Sequence, residues 1–455
     1  MVRKRLRLGS MLVLAGISLG AAQERMALTV EDAVRVGLEN SKAIHASLMR
    51  VNYADAKSAE VTANRLPSLK FLGAYTRLSD VPAAQFANPF ASAFPTMPAY
   101  ITLSPTVENN YNLRLSLQQP LFTGFRLSAA SSAADNIMEA TSEEYSRDRA
   151  GQVYAVKAAY WSLFKASELK KVYDENVDQI TAHLKDVQSM MDQGMATTND
   201  VLKVQVQLSD ARLRQIDAEN NVRIAMVGLD NAIGLPLSTQ VDLTSPAAAQ
   251  PHETAALQEL LVLAMDRRPD LRAMQYQVKA GEDGVTAARS GWWPQVYLSG
   301  NYYYQRPNSR IFPTVDLFKN TWDVSLSINL DIWNWGTTLH QSDQAQAQVE
   351  QARDALSQMK DMITLDVTQA YLNLQQARER IDVASQGVKQ AEENLRVTKQ
   401  RYDEGLALNS DVLDADVALL QARTSATQTV VDYALAEARL QKSVGDQESS
   451  GTTNP

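Results

Sequence analysis

The feature that most constrains this chain is that it repeats itself. Residues 113–234 align without a gap on residues 324–445 at an offset of 211. Between residues 194–234 and 405–445 there are 12 identities in 41 positions, and VKAAYWSLFKASE (156–168) matches VTQAYLNLQQARE (367–379) at 6 of 13. Upstream the offset becomes 227, pairing LPSLKFLGAYTRL (66–78) with WPQVYLSGNYYYQ (293–305), so the first copy carries a 16-residue insertion between its strands. A chain of 455 residues would otherwise suggest several unrelated cores. Here one plan has to be built twice.

The plan reads as two short helices, a strand, a loop, a second strand, then two very long helices. The first copy covers 23–234, with strands at about 67–78 and 110–122 and helices at about 124–193 and 197–233. The second covers 257–445, with strands at about 294–305 and 322–333 and helices at about 337–404 and 408–444. A linker, 235–256, joins them, and 446–455 form a tail. The segment 81–105, with Pro82, Pro89, Pro95, Pro98 and Pro105, is the longer inter-strand loop.

The last helix of each copy has coiled-coil spacing. Val412, Ala415, Leu419, Ala422, Ala426, Thr429, Tyr433, Ala436 and Leu440 step by three and four, matched by the row from Val201, Val204 and Leu208 to Leu229. Val388, Ala391, Leu395, Thr398 and Tyr402 supply a facing row. Such seams pack helices side by side, and alanine lets their axes come close. About 70 residues of helix before Gly194 would extend ~105 Å at ~1.5 Å per residue. Each unit is therefore predicted to be a rod, or one stave of a tube.

The strands carry a second message. LRLSLQQPLF (113–122) and VSLSINLDIW (324–333) alternate apolar and polar residues, as a sheet with one greasy and one wet face requires. Each is long enough to cross a bilayer as a tilted barrel strand. Trp292, Trp293, Trp322, Trp333 and Trp335, with Tyr302, Tyr303 and Tyr304, bracket the second pair. Aromatics in that position seat membrane barrels at the interface. Four strands cannot close a barrel, since the smallest use ~8, so several chains must pool theirs.

At the N-terminus, Arg3, Lys4, Arg5 and Arg7 precede an apolar run from Leu8 to Leu19 and the small residues Gly20, Ala21 and Ala22, the pattern of an export signal over 1–22. Removing it takes four cations from a net charge of −8, leaving −12. So acidic a protein is a poor partner for nucleic acid. There is no cysteine, which excludes a disulfide framework, a thiolate site and lipid attachment at the signal. His45, His183, His252 and His340 lack ligand spacing, so no metal and no cofactor are expected. No nucleophile elbow or phosphate loop points to an enzyme.

The duplication, the junctions PLFTGF (120–125) and DIWNWG (331–336), and above all RYDEGLALNSDVLDA (401–415) with its counterpart around Gly194 resemble the TolC family of outer-membrane efflux proteins. The resemblance implies a mainly α fold with membrane β: a homotrimer whose twelve strands form one barrel in outer-membrane lipid and whose twelve helices continue as a periplasmic tunnel. It implies a periplasmic adaptor docking on helix tips at Gly194, Met195, Gly405 and Leu406, and an inner-membrane pump of the RND or ABC kind. Asp411 and Asp414 would line the aperture, and Tyr402 would reach toward Asp200 to hold it closed. Where some relatives carry arginine two residues after the glycine, this chain has Ala407, so part of that closing network is missing or replaced. Independently of the resemblance, Asp200 and Asp411 stand where a carboxylate meets the positive end of a helix dipole.

The expected function is a passive efflux duct for small molecules. The exit duct of a type I protein secretion system is the alternative. A periplasmic coiled-coil scaffold would leave the twice-repeated strand pair without a purpose.

Overall fold

The computed structural model describes residues 26–104, 106–245 and 254–446. The export signal at 1–22 and the tail from 447 lie outside them, as does the middle of the linker. In chain order the elements are β1 (Met26–Leu28), α1 (Val30–Asn40), α2 (Lys42–Ala63), β2 (Ser68–Arg77), β3 (Ala84–Ala87), β4 (Tyr100–Ser104), β5 (Asn109–Thr123), α3 (Arg126–Asp192) and α4 (Thr198–Ile233). The second half supplies β6 (Val241–Leu243), α5 (Leu257–Arg267), α6 (Pro269–Ala288), a single 3-10 turn (Arg289–Trp292), β7 (Gln295–Arg306), β8 (Lys319–Asn329), α7 (Thr337–Asp403) and α8 (Asn409–Val444). The helices α3 and α7 each hold 67 residues, about 100 Å at the usual rise. The loop at 81–105 contains the hairpin β3–β4.

Two compact units divide the chain, and each draws on both sequence copies. One comprises the segment up to Lys42, Gly151–Thr254 and Ala370–Lys442; the other comprises Ala43–Ala150, Ala255–Gln369 and the segment from Ser443.

The first unit is helical. Its largest buried group is Tyr160, set among Leu28, Val30, Ala33, Val156, Leu163, Leu229, Ile233 and Val241. Tyr160 is wholly buried but keeps its hydroxyl satisfied, donating to the Leu28 carbonyl (3.1 Å) and accepting from the Ser245 amide (3.0 Å). Those bonds tie the helices to the parallel pair β1–β6. The seam positions Val201, Val204, Leu208 and Ala211, and Val412, Ala415 and Leu419, are buried as their spacing requires.

One group in this unit works against stability. Asp230, near the end of α4, is 0 % exposed, and both its carboxylate oxygens lack a hydrogen-bond partner. Burial pushes its pKa above the ordinary carboxylate value. With the folded-state pKa raised, the charged form costs stability at neutral pH, and the cost disappears as pH falls below the unfolded-state value. Asp230→Asn is therefore expected to raise the thermal midpoint at pH 8, the gain corresponding to about 1–3 kcal/mol. The difference from the parent should shrink on acidification; a gap independent of pH would show that burial of charge is not its cause.

The second unit holds a four-stranded antiparallel sheet in the order β2-β5-β7-β8. In the same unit Arg268 fastens three helices: it meets Asp270 at 2.6 Å, Asp366 at 2.9 Å and the Ser443 carbonyl at 3.1 Å. No described helix is long and apolar enough to cross a membrane, so any crossing falls to the strands.

Candidate functional site: the amphipathic sheet and the helix turns

The strand register sorts side chains onto two faces. Pairings Phe71↔Leu115, Leu115↔Tyr302 and Tyr302↔Trp322 put these four in one row. Two residues along, Leu69, Leu117, Gly300 and Val324 form the next, and Leu298 with Leu326 continue it. The opposite face carries Arg114, Ser116, Ser299, Asn301, Asp323 and Ser325. All but Arg114 bond one another: Ser116 to Asn301 (2.8 Å), Asn301 to Asp323 (2.9 Å), Ser299 to Ser325 (2.7 Å), and Arg310 caps Asp323 (2.6 Å). Apolar side chains on the first face, among them Leu69, Phe71, Trp322, Val324, Leu326 and Ile328, are uncovered. A sheet satisfied on its wet face and bare on its greasy face suits lipid on one side and water on the other.

The aromatics mark the ends of that band. Trp293 precedes β7 and Tyr302 lies nine residues on, ~30 Å along the strand. Tilted by the ~35–45° of a barrel strand, this spans ~21–25 Å, close to the ~25 Å apolar band of outer-membrane barrels. Trp292, Trp333 and Trp335 share the lower end, and Tyr304 and Trp322 the upper. Tyr303 is the exception. Strand alternation turns it to the polar face, where Arg310 lies 4.9 Å from its ring centre. The sequence reading missed Tyr75, Tyr111 and Phe318, which pack with Tyr304 at the upper end; Tyr304 and Phe318 stack at 5.0 Å. Cross-strand register, invisible in one strand, brings them together.

The second site is the pair of helix turns. Gly194 (φ 74°) and Gly405 (φ 72°) are left-handed. In both turns the glycine amide bonds a carbonyl three residues back, and the next amide bonds one five back: Gly194 to Met191, Met195 to Met190, Gly405 to Tyr402 and Leu406 to Arg401. This two-bond helix stop needs a positive φ that glycine adopts without strain. Met195, Leu406 and Leu408 are left exposed at the turns.

The aspartates divide by task. Asp200 closes a capping box: its carboxylate accepts from the Thr197 amide (3.0 Å), while its own amide donates to the Thr197 hydroxyl (3.2 Å). The Thr197 hydroxyl also donates to that carboxylate at 2.6 Å, and this bond first, then the one from the Thr197 amide, holds the Asp200 carboxyl below the ordinary range. Asp411 caps likewise, accepting from the Leu408 amide at 2.9 Å. Asp414, one turn on, is exposed and borders an open groove of about 490 Å3 with Lys203, Leu202 and Val206.

Tyr402 does not hydrogen-bond Asp200 within the chain. It is half-buried between the two helix seams, edge-on to His183 with ring centres 5.6 Å apart. Burial first, then the negative charges of Asp200, Asp403 and Asp186, push its hydroxyl pKa up. Ala407 is half-buried in the turn that follows Gly405.

What links the two turns is a pair of polar contacts that sequence reasoning did not anticipate. The Asn409 side-chain amide donates to the Asp200 carbonyl (3.3 Å), so its oxygen faces His183 Nε2 at 2.8 Å and the proton lies on that nitrogen. Deeper, Asn176 donates to Asp416 at 2.8 Å. Burial pushes the Asp416 pKa up, against the Asn176 bond and the cations Lys399 and Arg423. His183 and Asp416 line a cavity of about 10 Å3, room for one water. The available signal was His183 itself, a polar residue on the stripe between buried Ile180 and Val187.

A sheet with a lipid face and a water face, leading into antiparallel helical hairpins that end in glycine turns, defines an outer-membrane channel protein. The chain belongs to the outer membrane efflux protein family, whose model matches residues 34–235 and 260–446. It is similar to the outer membrane efflux protein BepC of Brucella suis biovar 1 (strain 1330), at 23 % identity over 73 % of this chain and 71 % of that one. It is also similar to the outer membrane protein TolC of Vibrio cholerae, at 22 % identity over 66 % and 69 %. Among solved structures, the outer membrane protein VceC from Vibrio cholerae superposes with a TM-score of 0.75 at 18 % identity, over 91 % of this chain and 96 % of that one. The fold is that of the family, mainly α with a β part, and its place is the outer membrane. Family members are trimeric channels that work with adaptors and inner-membrane pumps in efflux systems.

Proposed function

We propose that three copies of this chain close one barrel and conduct small molecules handed over by an inner-membrane pump through an adaptor. The carrying observation is the sheet: β2 and β8 are free edges, four strands cannot close, and three copies supply twelve. The helices ask for the same neighbours. On α4 a second stripe, Leu202, Val206, Leu213, Ile216 and Ile224, is exposed opposite its buried seam, and α7 exposes Leu372 and Val383. Apolar stripes of this length are covered in a stable assembly. The efflux reading stands ahead of polypeptide secretion because the family description is efflux. Expression in a bacterium deleted for its own channel tests it. Restored resistance to small toxic compounds supports the proposal, and restored secretion of a polypeptide without resistance overturns it.

In this reading the turns at Gly194 and Gly405 are the periplasmic gate, Met195 and Leu406 meet the adaptor, and the aspartates face the aperture. The bonds from Asn409 to His183 and to the Asp200 carbonyl take up part of the closing role that arginine plays in some relatives. Asn409→Ala would leave the buried His183 N–H without an acceptor, at about 1–3 kcal/mol. The expected result in single-channel recording is a higher open probability, with His183→Ala/Asn409→Ala costing less than the sum of the single changes. Unchanged gating in both single variants would remove this pair from the gate.

A further inference from the structure

Both copies pass from strand to long helix through an elbow of two consecutive left-handed residues. In the first copy these are Gly124 (φ 62°) and Phe125 (φ 67°); in the second, Trp335 (φ 55°) and Gly336 (φ 79°). The first elbow is docked. It sits on the turn before β7, so closely that a Cβ at Gly124 would lie 2.5 Å from the Ser290 carbonyl oxygen and 2.9 Å from Trp293 Cβ. The Phe125 ring meets Trp293 edge-on, with centres 5.9 Å apart at 90°. This contact exists because β5 and β7 are neighbours in the sheet.

The second elbow has the same backbone, but its Trp335 ring meets Trp333 of its own segment, with centres 5.6 Å apart, in place of the turn before a neighbouring strand. It follows β8, a free edge, and Ile332, Trp333 and Trp335 are 90 %, 75 % and 86 % exposed. The matching approach turn carries no second elbow: its Arg65 carbonyl accepts from the Gln119 side-chain amide (2.9 Å), and Arg65 lines an open cavity of about 260 Å3 with Pro120, Phe125 and Ser128 of its own copy. By the 227-residue offset, Ser290–Trp293 correspond to residues 63–66, which precede β2, the other free edge. There Leu66 is exposed, and the exposed Arg65 pairs with no carboxylate among the described residues.

We infer that the elbow at Trp335 and Gly336 of one copy docks on the turn at residues 63–66 of the next, repeating between copies the contact that the chain makes within itself. The inference rests on the three-copy barrel proposed above. The contact cannot be a plain replica. Gly124 permits the tight approach, and its counterpart is Trp335, whose Cβ cannot lie 2.5 Å from a carbonyl oxygen. The glycine has moved one place along, so the backbone stands off and the Trp335 indole fills the gap. What the indole meets has changed in step: Arg65 occupies the position that Trp292 holds in the second copy, and Leu66 that of Trp293. An aromatic edge contact inside the chain becomes an indole against a guanidinium and a leucine at the seam, with the cation held over the ring. Trp335 then faces a second copy of the chain in place of lipid.

The absence of cysteine makes the test direct. Leu66→Cys and Trp335→Cys are combined in one chain, the detergent particle is sized, and the sample is oxidised. The expected result is a particle of three copies that yields covalent dimers and trimers on a denaturing gel, reversed by reductant and missing from either single variant. A three-copy particle that gives no ladder, even with a short bis-maleimide, overturns the docking and leaves the barrel standing. A one-copy particle from the unmodified protein overturns both. Should the cysteine pair fail to assemble, Arg65→Ala, Trp335→Ala and their combination provide a second reading. Equal falls in trimer dissociation temperature for all three support the pairing, and additive falls overturn it.

Discussion

Leu326→Arg is expected to keep the protein from assembling in the outer membrane, while Ser325→Arg, one residue away on the same strand, leaves assembly intact. Leu326 pairs with Leu298 about midway between Trp293 and Tyr302, on the uncovered apolar face. Arginine at the bilayer midplane of a barrel costs ~2–4 kcal/mol per site. A homotrimer carries the change three times, so the total would approach or exceed the ~5–15 kcal/mol net stability of an ordinary protein. Ser325 faces the other way and bonds Ser299 at 2.7 Å, so a long cation there extends among Arg114, Asn301 and Asp323 toward water. Carbonate extraction and unheated gel mobility distinguish the two outcomes. If both variants insert, or both fail alike, the assignment of lipid and water faces is wrong, whatever the number of copies.

The strands were legible because lipid and water impose a period of two. That signal is local, and it stands in LRLSL and VSLSI without reference to any partner. The long helices were legible for a related reason, since a seam repeated over many turns cannot be confused with a strand. The proposed gate was less so. Asp200 and Asp411 could be placed at helix starts from dipole reasoning, and both do cap. Tyr402 could be singled out only by resemblance, and its actual neighbour, His183, lies 219 positions away in the chain. The same holds for Asn409, which bonds a residue 226 positions distant. Polar pairs of this kind leave no periodic trace. They surface in a sequence only as a polar residue interrupting an apolar stripe, and an interruption names no partner. Duplication supplied what single positions could not. It showed that two elbows and two approach turns share one backbone plan, and where Gly124 and Trp335 differ it exposed a contact that the isolated chain leaves unmade.

The two aspartates proposed to face the aperture, Asp411 and Asp414, should not be equivalent. Asp411 already gives one oxygen to the Leu408 amide, so part of its charge is spent at the start of α8. Asp414 is exposed and is bound by no capping bond, with the nearby cation Lys203 across an open groove. In three copies Asp414 contributes three carboxylates that can turn toward a multivalent cation in the aperture. A divalent ion ~6 Å from one carboxylate in water gains ~1.4 kcal/mol, roughly tenfold in affinity, before screening by salt. Asp414→Asn removes three such terms and is expected to weaken block by magnesium or a trivalent cation by at least about tenfold at low salt. Asp411→Asn should weaken it less and cost about 0.5–1 kcal/mol of helix stability instead, since an amide caps without charge. Conductance across planar bilayers, titrated with the cation from the helical side, measures both. Equal losses would mean that the capping bond does not hold Asp411 back, because the cation displaces the Leu408 amide. Undiminished block in the Asp414 variant would move the constriction elsewhere along α8, toward the buried Asp416 and its bond to Asn176.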